Sequence, residues 1–152
     1  MKIALASDHG GWELKEAILV FLRENLNLAG DRMVLHDFGC YDKDPAEYVP
    51  LALTLSGAVA CGEYDFGILC CGTGIGMSIA ANKVKGIRAA CCSDYYSVKM
   101  TREHNDANVL CLGGRVLGGG AAIELVKTFL TTKASAEARH QARVKQLDDI
   151  IE

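Results

Sequence analysis

The feature that most restricts what this chain can fold into is the alternation of short apolar runs with longer stretches of helical spacing. The runs fall at about residues 2–7, 33–37, 66–71, 87–92 and 108–112. Near-continuous apolarity marks strands buried on both faces, and strands that alternate with helices assemble into a parallel sheet covered on both sides. The expected fold is therefore α/β: a Rossmann-like, three-layer α/β/α sandwich around a five-stranded parallel sheet of order 2-1-3-4-5, with an additional C-terminal helix. Helices are expected at residues 11–26, 51–60, 75–82, 95–103, 120–131 and 137–151. In the first, Trp12, Leu14, Ala17, Ile18, Phe21 and Leu22 form an apolar stripe, with Lys15, Glu16, Arg23 and Glu24 on the solvent side. That spacing gives Trp12 a packing role. The polar, proline-containing segment from Asp42 to Pro50 reads as a lid.

A length of 152 residues with 50% apolar content fits one domain, residues 1–152, and is too short for two ordinary ones. A net charge of −3 leaves no broad basic face, which argues against a nucleic-acid partner but not against a small anionic ligand. The opening apolar run stops at Ser7-Asp8-His9, short of the core of a signal peptide, and no stretch is long enough to span a membrane. The cysteines number seven, at positions 40, 61, 70, 71, 91, 92 and 111. Adjacent strand residues face opposite ways, so the 70/71 and 91/92 pairs cannot chelate together. Reduced thiols in a cytoplasmic protein are expected, with Cys70, Cys91, Cys92 and Cys111 acting as small hydrophobes.

Cys71-Gly72-Thr73-Gly74-Ile75-Gly76 follows the third apolar run and enters a helix. Such a turn aims several N–H groups at one point, where an enolate or phosphate oxygen is stabilised. It is neither of the common nucleotide motifs. A dinucleotide fingerprint counted from Gly72 needs glycine where Met77 stands, and no Gly-Lys-Ser/Thr follows. Glycine turns between strand and helix also serve structure alone. Cys71 adds chemistry, because positive partial charge at a helix N-terminus favours a thiolate and makes it a candidate base or nucleophile. Thr73 either closes the turn or supports the oxyanion site with its hydroxyl.

In open parallel sheets ligands bind beyond the carboxyl ends of the strands. Polar residues collect there: Ser7-Asp8-His9-Gly10-Gly11, Cys71-Gly72-Thr73-Gly74, Ser93-Asp94 and Gly113-Gly114-Arg115. With strands one and three adjacent, Asp8, His9 and Cys71 converge. Asp8 alone reads as a helix N-cap; beside His9 and the glycine turn, the two suit a sugar hydroxyl and a phosphate. Their adjacency, with no second ligand pair, disfavours a metal. Residues 102–108 fall at the amino end of the sheet, and a five-residue strand is about 16 Å long. His104 is then either a helix C-cap or part of a partner's site. Arg139 and Arg143, four residues apart, share a helix face, which is either solvated or grips a phosphate. Half-sites at opposite ends of one protomer imply a pocket completed between subunits.

Together these residues resemble the ribose-5-phosphate isomerase B family, which also contains galactose-6-phosphate and allose-6-phosphate isomerases. The resemblance spans nearly the whole chain. It rests on Ser7-Asp8-His9-Gly10-Gly11, on the block from Cys71 to Lys83, on Gly86-Ile87-Arg88-Ala89, on the block from His104 to Leu110, and on Arg139-His140-Gln141-Ala142-Arg143. It implies interconversion of an aldose phosphate and its ketose through a cis-enediolate, with no cofactor and no metal, in a homodimer or dimer of dimers with shared sites. By the same resemblance Cys71 is the proton-transfer base, and Gly72, Gly74, Gly76 and Thr73 cradle the enediolate oxygen. His104 with Asp8 opens the sugar ring, His9, Arg115, Arg139 and Arg143 hold the phosphate, and Asn105 steadies a sugar oxygen. The chain departs from the family at Glu47-Tyr48-Val49, where many members have Asp-Tyr-Pro, and at Trp12, often Phe. A six-carbon sugar phosphate and a non-catalytic phosphosugar-binding role are the alternatives.

Overall fold

The structure, a computed structural model, describes residues 1–28, 30 and 32–150. The described elements are β1 (Lys2–Ser7), α1 (Trp12–Glu24), β2 (Val34–Asp37), α2 (Tyr48–Ala60), β3 (Phe66–Cys71), α3 (Ile75–Ala81), β4 (Ala89–Cys91), α4 (Tyr95–Asn105), β5 (Val109–Gly113), α5 (Gly119–Thr131) and α6 (Ala138–Asp149). All strand pairings are parallel. Residue 151, placed in the last helix by its spacing, lies outside the described residues.

The two-residue period of each strand divides the core. Ile3 and Leu5 of β1 pack with Ile18, Leu22, Val126 and Phe129 under α1 and α5, whereas Ala4 and Ala6 face Leu55, Val59, Met77 and Ala81 under α2 and α3. Each fully buried Leu, Ile or Phe here is worth about 1.5–3 kcal/mol, so both layers contribute to holding the sheet.

The sheet runs β2-β1-β3-β5-β4, which corrects the expected 2-1-3-4-5. Burial explains the exchange. Every residue of β5 is buried, as a strand flanked on both sides must be, while β4 has three residues and none is buried. A short strand suits an edge. The point where strand order reverses remains between β1 and β3, and β5 now lies directly beside β3, with Cys71 paired to Gly113.

Three local readings also change. α2 begins at Tyr48, with Pro50 in its first turn where the missing N–H costs nothing, so the connection from β2 is shorter than expected. Lys15, assigned to the solvent side of α1, is fully buried: its Nζ lies 2.5 Å from Asp37 Oδ2 and donates to the Cys40 carbonyl at 2.8 Å. Cys91 is exposed at the sheet edge and Cys92 half-buried, so neither is the core hydrophobe expected of it. Cys70 and Cys111 are.

α6 docks on α4 and on the segment that leads into β4. Arg88 Nη1 makes hydrogen bonds of 2.7 and 3.0 Å to both carboxylate oxygens of Asp148, and His140, the buried residue of α6, stacks on His104 with ring centroids 4.3 Å apart. No described helix is long and apolar enough to cross a membrane.

Candidate active site

β3 delivers Cys71 to the carboxyl edge of the sheet, with only 6% of its surface exposed. The chain then turns sharply into α3 through Gly74, whose φ of +80° is a left-handed conformation that L side chains rarely adopt. The turn points the Gly74 amide back at the preceding sulfur. That N–H donates to Cys71 Sγ at 3.0 Å, a bond that strengthens as negative charge develops on sulfur. Thr73 Oγ1 accepts from the Ile75 N–H at 3.3 Å, so its side chain braces the turn while remaining exposed. The amides of Gly72, Thr73 and Gly76 find no acceptor among the described residues. These amides are left available to an external acceptor.

Burial, then the adjacent Cys71, pushes the Cys70 thiol up; burial also raises Cys111. Cys92 is pushed up to about 11 by burial, then by Cys91 and Asp94. Cys91 Sγ rests against the site, 3.6 Å from the Thr73 carbonyl.

β1 brings Asp8 and His9 to the same edge, as expected from its pairing with β3. Asp8 Oδ1 accepts from the Gly11 N–H at 3.0 Å, closing a turn before α1 rather than capping the helix, whose N-cap is Gly11. His9 Nδ1 accepts from the Ala46 N–H at 3.3 Å, which leaves Nε2 as the nitrogen that carries the proton in the neutral ring. β5 supplies Arg115. The corrected strand order matters here, because the Gly114 and Arg115 amides bond the Cys71 and Gly72 carbonyls at 2.8 and 3.0 Å. A side chain at Gly114 would lie 2.6 Å from the Gly10 carbonyl, so the β1 and β5 turns pack backbone to backbone. The Arg115 guanidinium lies beside Gly72 and makes no hydrogen bond or ion pair among the described residues.

A cleft of about 260 Å³ lies above these turns, lined by His9, Gly10, Glu13, Leu14, Lys43, Gly114 and Arg115. Lys43 and Glu13 form an ion pair at its rim, and the Lys43 hydrogen bond, then its charge, holds the Glu13 carboxyl below its usual range. Reading the residues alone missed both, since each looks like an ordinary surface charge. Tyr48, within the segment that departs from the family pattern, lays its ring over Gly76, where an added Cβ would be 3.0 Å away.

His104, Asn105, Arg139 and Arg143 are not brought to Cys71 within the chain. They sit on α4 and α6, beyond the start of β5, whereas Cys71 stands beside its end. Asn105 is exposed and accepts from Arg88 Nε through its carbonyl; Arg139 Nε bonds Glu137 Oε2 at 2.7 Å. Burial, then the His104 charge, pulls His140 below the ordinary imidazole value, and His140 Nδ1 has no partner among the described residues. A cavity of about 290 Å³ adjoins this pair, lined by residues that include Glu103, Ser135 and Lys145.

A sulfur held by a main-chain amide, a turn of free donors and a basic cleft on a doubly wound sheet define a protein that handles a small anionic substrate. The chain belongs to the ribose/galactose isomerase family, whose model matches residues 3–147. It is 43% identical to ribose-5-phosphate isomerase B of Escherichia coli over 152 residues, covering 98% of this chain and 95% of that protein. A galactose-6-phosphate isomerase subunit of Clostridium acetobutylicum is 35% identical over 152 residues, covering 100% of this chain and 84% of that one. The solved ribose-5-phosphate isomerase B of Clostridium thermocellum superposes with a TM-score of 0.90 at 45% identity, covering 99% of this chain and 97% of that structure. The family assignment makes the chain an aldose-ketose isomerase.

Proposed function

We propose that this chain, as one cytoplasmic domain over residues 1–152, interconverts ribose 5-phosphate and ribulose 5-phosphate through a cis-enediolate. The observation that carries the reading is the 3.0 Å bond from the Gly74 amide to Cys71 Sγ. It points a main-chain donor at the sulfur, beside the unpartnered amides of Gly72, Thr73 and Gly76. In the aldose direction Cys71 removes the proton from C2 and returns it to C1, while the Gly72, Gly74 and Gly76 turn with Thr73 meets the charge that develops on the sugar oxygen. Fixed donors of this kind lower the barrier because they need no reorganisation as charge appears. His9 and Arg115 hold the phosphate in the cleft.

Ring opening needs a group that takes the proton of the C1 hydroxyl and one that protonates the ring oxygen. His104 with Asp8 fills that role, with Asn105 steadying a sugar oxygen. Because His104, Arg139 and Arg143 lie at the far end of their own sheet, they serve the site of a second copy. A homodimer, alone or paired into a dimer of dimers, satisfies this arrangement, with Arg139 and Arg143 closing on the phosphate. The seven free cysteines accord with a cytoplasmic location.

Incubation with ribose 5-phosphate, galactose 6-phosphate and allose 6-phosphate in deuterated water tests class and substrate together. The expected product is ribulose 5-phosphate with label at the exchanged carbon, and Cys71→Ala lowers turnover by about 10²–10⁴-fold while retaining ligand binding. Undiminished turnover by Cys71→Ala removes the thiol from the mechanism. Preference for a hexose phosphate moves the assignment to the six-carbon reaction, and binding without turnover in the unaltered protein moves it to a phosphosugar-binding role.

A further inference from the structure

We infer that Lys43 is an additional phosphate ligand of this site, held in reserve by Glu13 and transferred to the substrate phosphate when it binds. The inference rests on the sugar-phosphate reading above but concerns a residue to which that reading gives no task.

Lys43 lies in the connection between β2 and α2 and reaches across to α1, where its ammonium pairs with Glu13 and stands 5.4 Å from the centre of the Trp12 ring. Both partners are open to solvent, the Lys43 side chain at 64% and that of Glu13 at 76% exposure. An ion pair so exposed contributes little to stability, so exchanging one partner for another costs little. The cleft beneath holds three basic groups, His9, Lys43 and Arg115, against the single carboxylate of Glu13. With Lys43 on Glu13, Arg115 and His9 are the basic groups left to face an anion. A phosphate dianion in the cleft would face Glu13 directly unless the ammonium lies between them, and moving Lys43 toward the phosphate relieves that repulsion while adding a charge-assisted hydrogen bond. The connection is already tied to the cleft: the Ala46 N–H donates to His9 Nδ1 at 3.3 Å, and the Cys40 carbonyl accepts from the buried Lys15 at 2.8 Å. The ammonium therefore has an anchored base from which to turn.

Trp12 is the one tryptophan of the chain, so its emission reports whether a cation stays over the indole. Titrating the intact protein with inorganic phosphate should give a saturable change in that emission. Lys43→Gln should abolish the response and weaken phosphate binding by about tenfold, and Lys43→Arg should restore much of the affinity. Glu13→Gln should tighten binding by about threefold, because it removes the competitor. With a sugar phosphate, Lys43→Gln should raise KM by a similar factor at nearly constant kcat. Both side chains are exposed, so neither change threatens folding. Unaltered phosphate affinity in Lys43→Gln, or weaker binding in Glu13→Gln, overturns the inference even where isomerisation is normal. A Lys43-dependent phosphate response in a protein that isomerises no aldose phosphate supports the inference and defeats the functional reading instead.

Discussion

Replacing Gly74 with alanine separates the geometry of the sulfur from its chemistry. At φ +80° an L residue is strained, and the new Cβ would stand 2.9 Å from Cys91 Sγ and 3.0 Å from the carbonyl carbon of Leu112. The sulfur can swing aside; the β5 backbone cannot. Left-handed strain costs about 1–2 kcal/mol, and relief of the contact requires the turn to lift from β5. The fold survives a loss of that size, because domains of this kind hold roughly 5–15 kcal/mol. Lifting the turn withdraws the Gly74 amide from Cys71. A hydrogen bond to a charged group is worth about 1.5–3 kcal/mol, so kcat should fall by about 10–100-fold with KM nearly unchanged. Urea unfolding measures the first quantity and steady-state kinetics the second. Alkylation of Cys71 by iodoacetamide, followed by peptide mass spectrometry to separate it from the exposed Cys61 and Cys91, should slow in parallel. The double variant with Cys91→Ala should not recover activity, since the backbone contact remains. A stable Gly74→Ala protein with undiminished kcat and unaltered Cys71 alkylation refutes the proposed role of the amide.

Two further outcomes follow from groups away from the sulfur. Lys15→Met leaves Asp37, largely buried, without its cation, and should destabilise the protein by about 3–5 kcal/mol in urea, with the additional Asp37→Asn change costing less than it does alone. His140 is held neutral, mainly by burial and then by His104, so its folded-state value lies below its unfolded one. The unfolded chain then binds more protons, and the contribution of His140 to stability is present above about pH 6.5 and lost as pH falls through the lower, folded value. Comparing wild type with His140→Phe between pH 7 and 5 should show the wild type losing stability that the variant keeps; parallel profiles would assign the acid loss to other groups.

The strands and their helices were legible because apolar runs and helical periods respond to burial, and burial is what the sheet imposes. The convergence of Asp8, His9 and Cys71 followed from the β1–β3 neighbourhood alone. Strand order was not legible in full: β4 and β5 are both apolar, and only the lengths and burial of the two settle which lies inside. Lys15 escaped notice for a different reason. Its charge argues for solvent, and only the approach of Asp37 and the Cys40 carbonyl, residues distant in sequence, makes a buried site tolerable. The stacking of His140 on His104 likewise depends on where α6 docks, a tertiary event that periodicity does not encode.

The turn after β3 and the turn after β5 are joined by main chain, from the Gly114 and Arg115 amides to the Cys71 and Gly72 carbonyls. Bonds of this kind are indifferent to which side chains surround them, so they set a fixed gauge between the turn that carries Arg115 and the sulfur of Cys71. On the proposed function, retuning toward longer or shorter sugars then falls to Tyr48 at the start of α2, whose ring lies over Gly76.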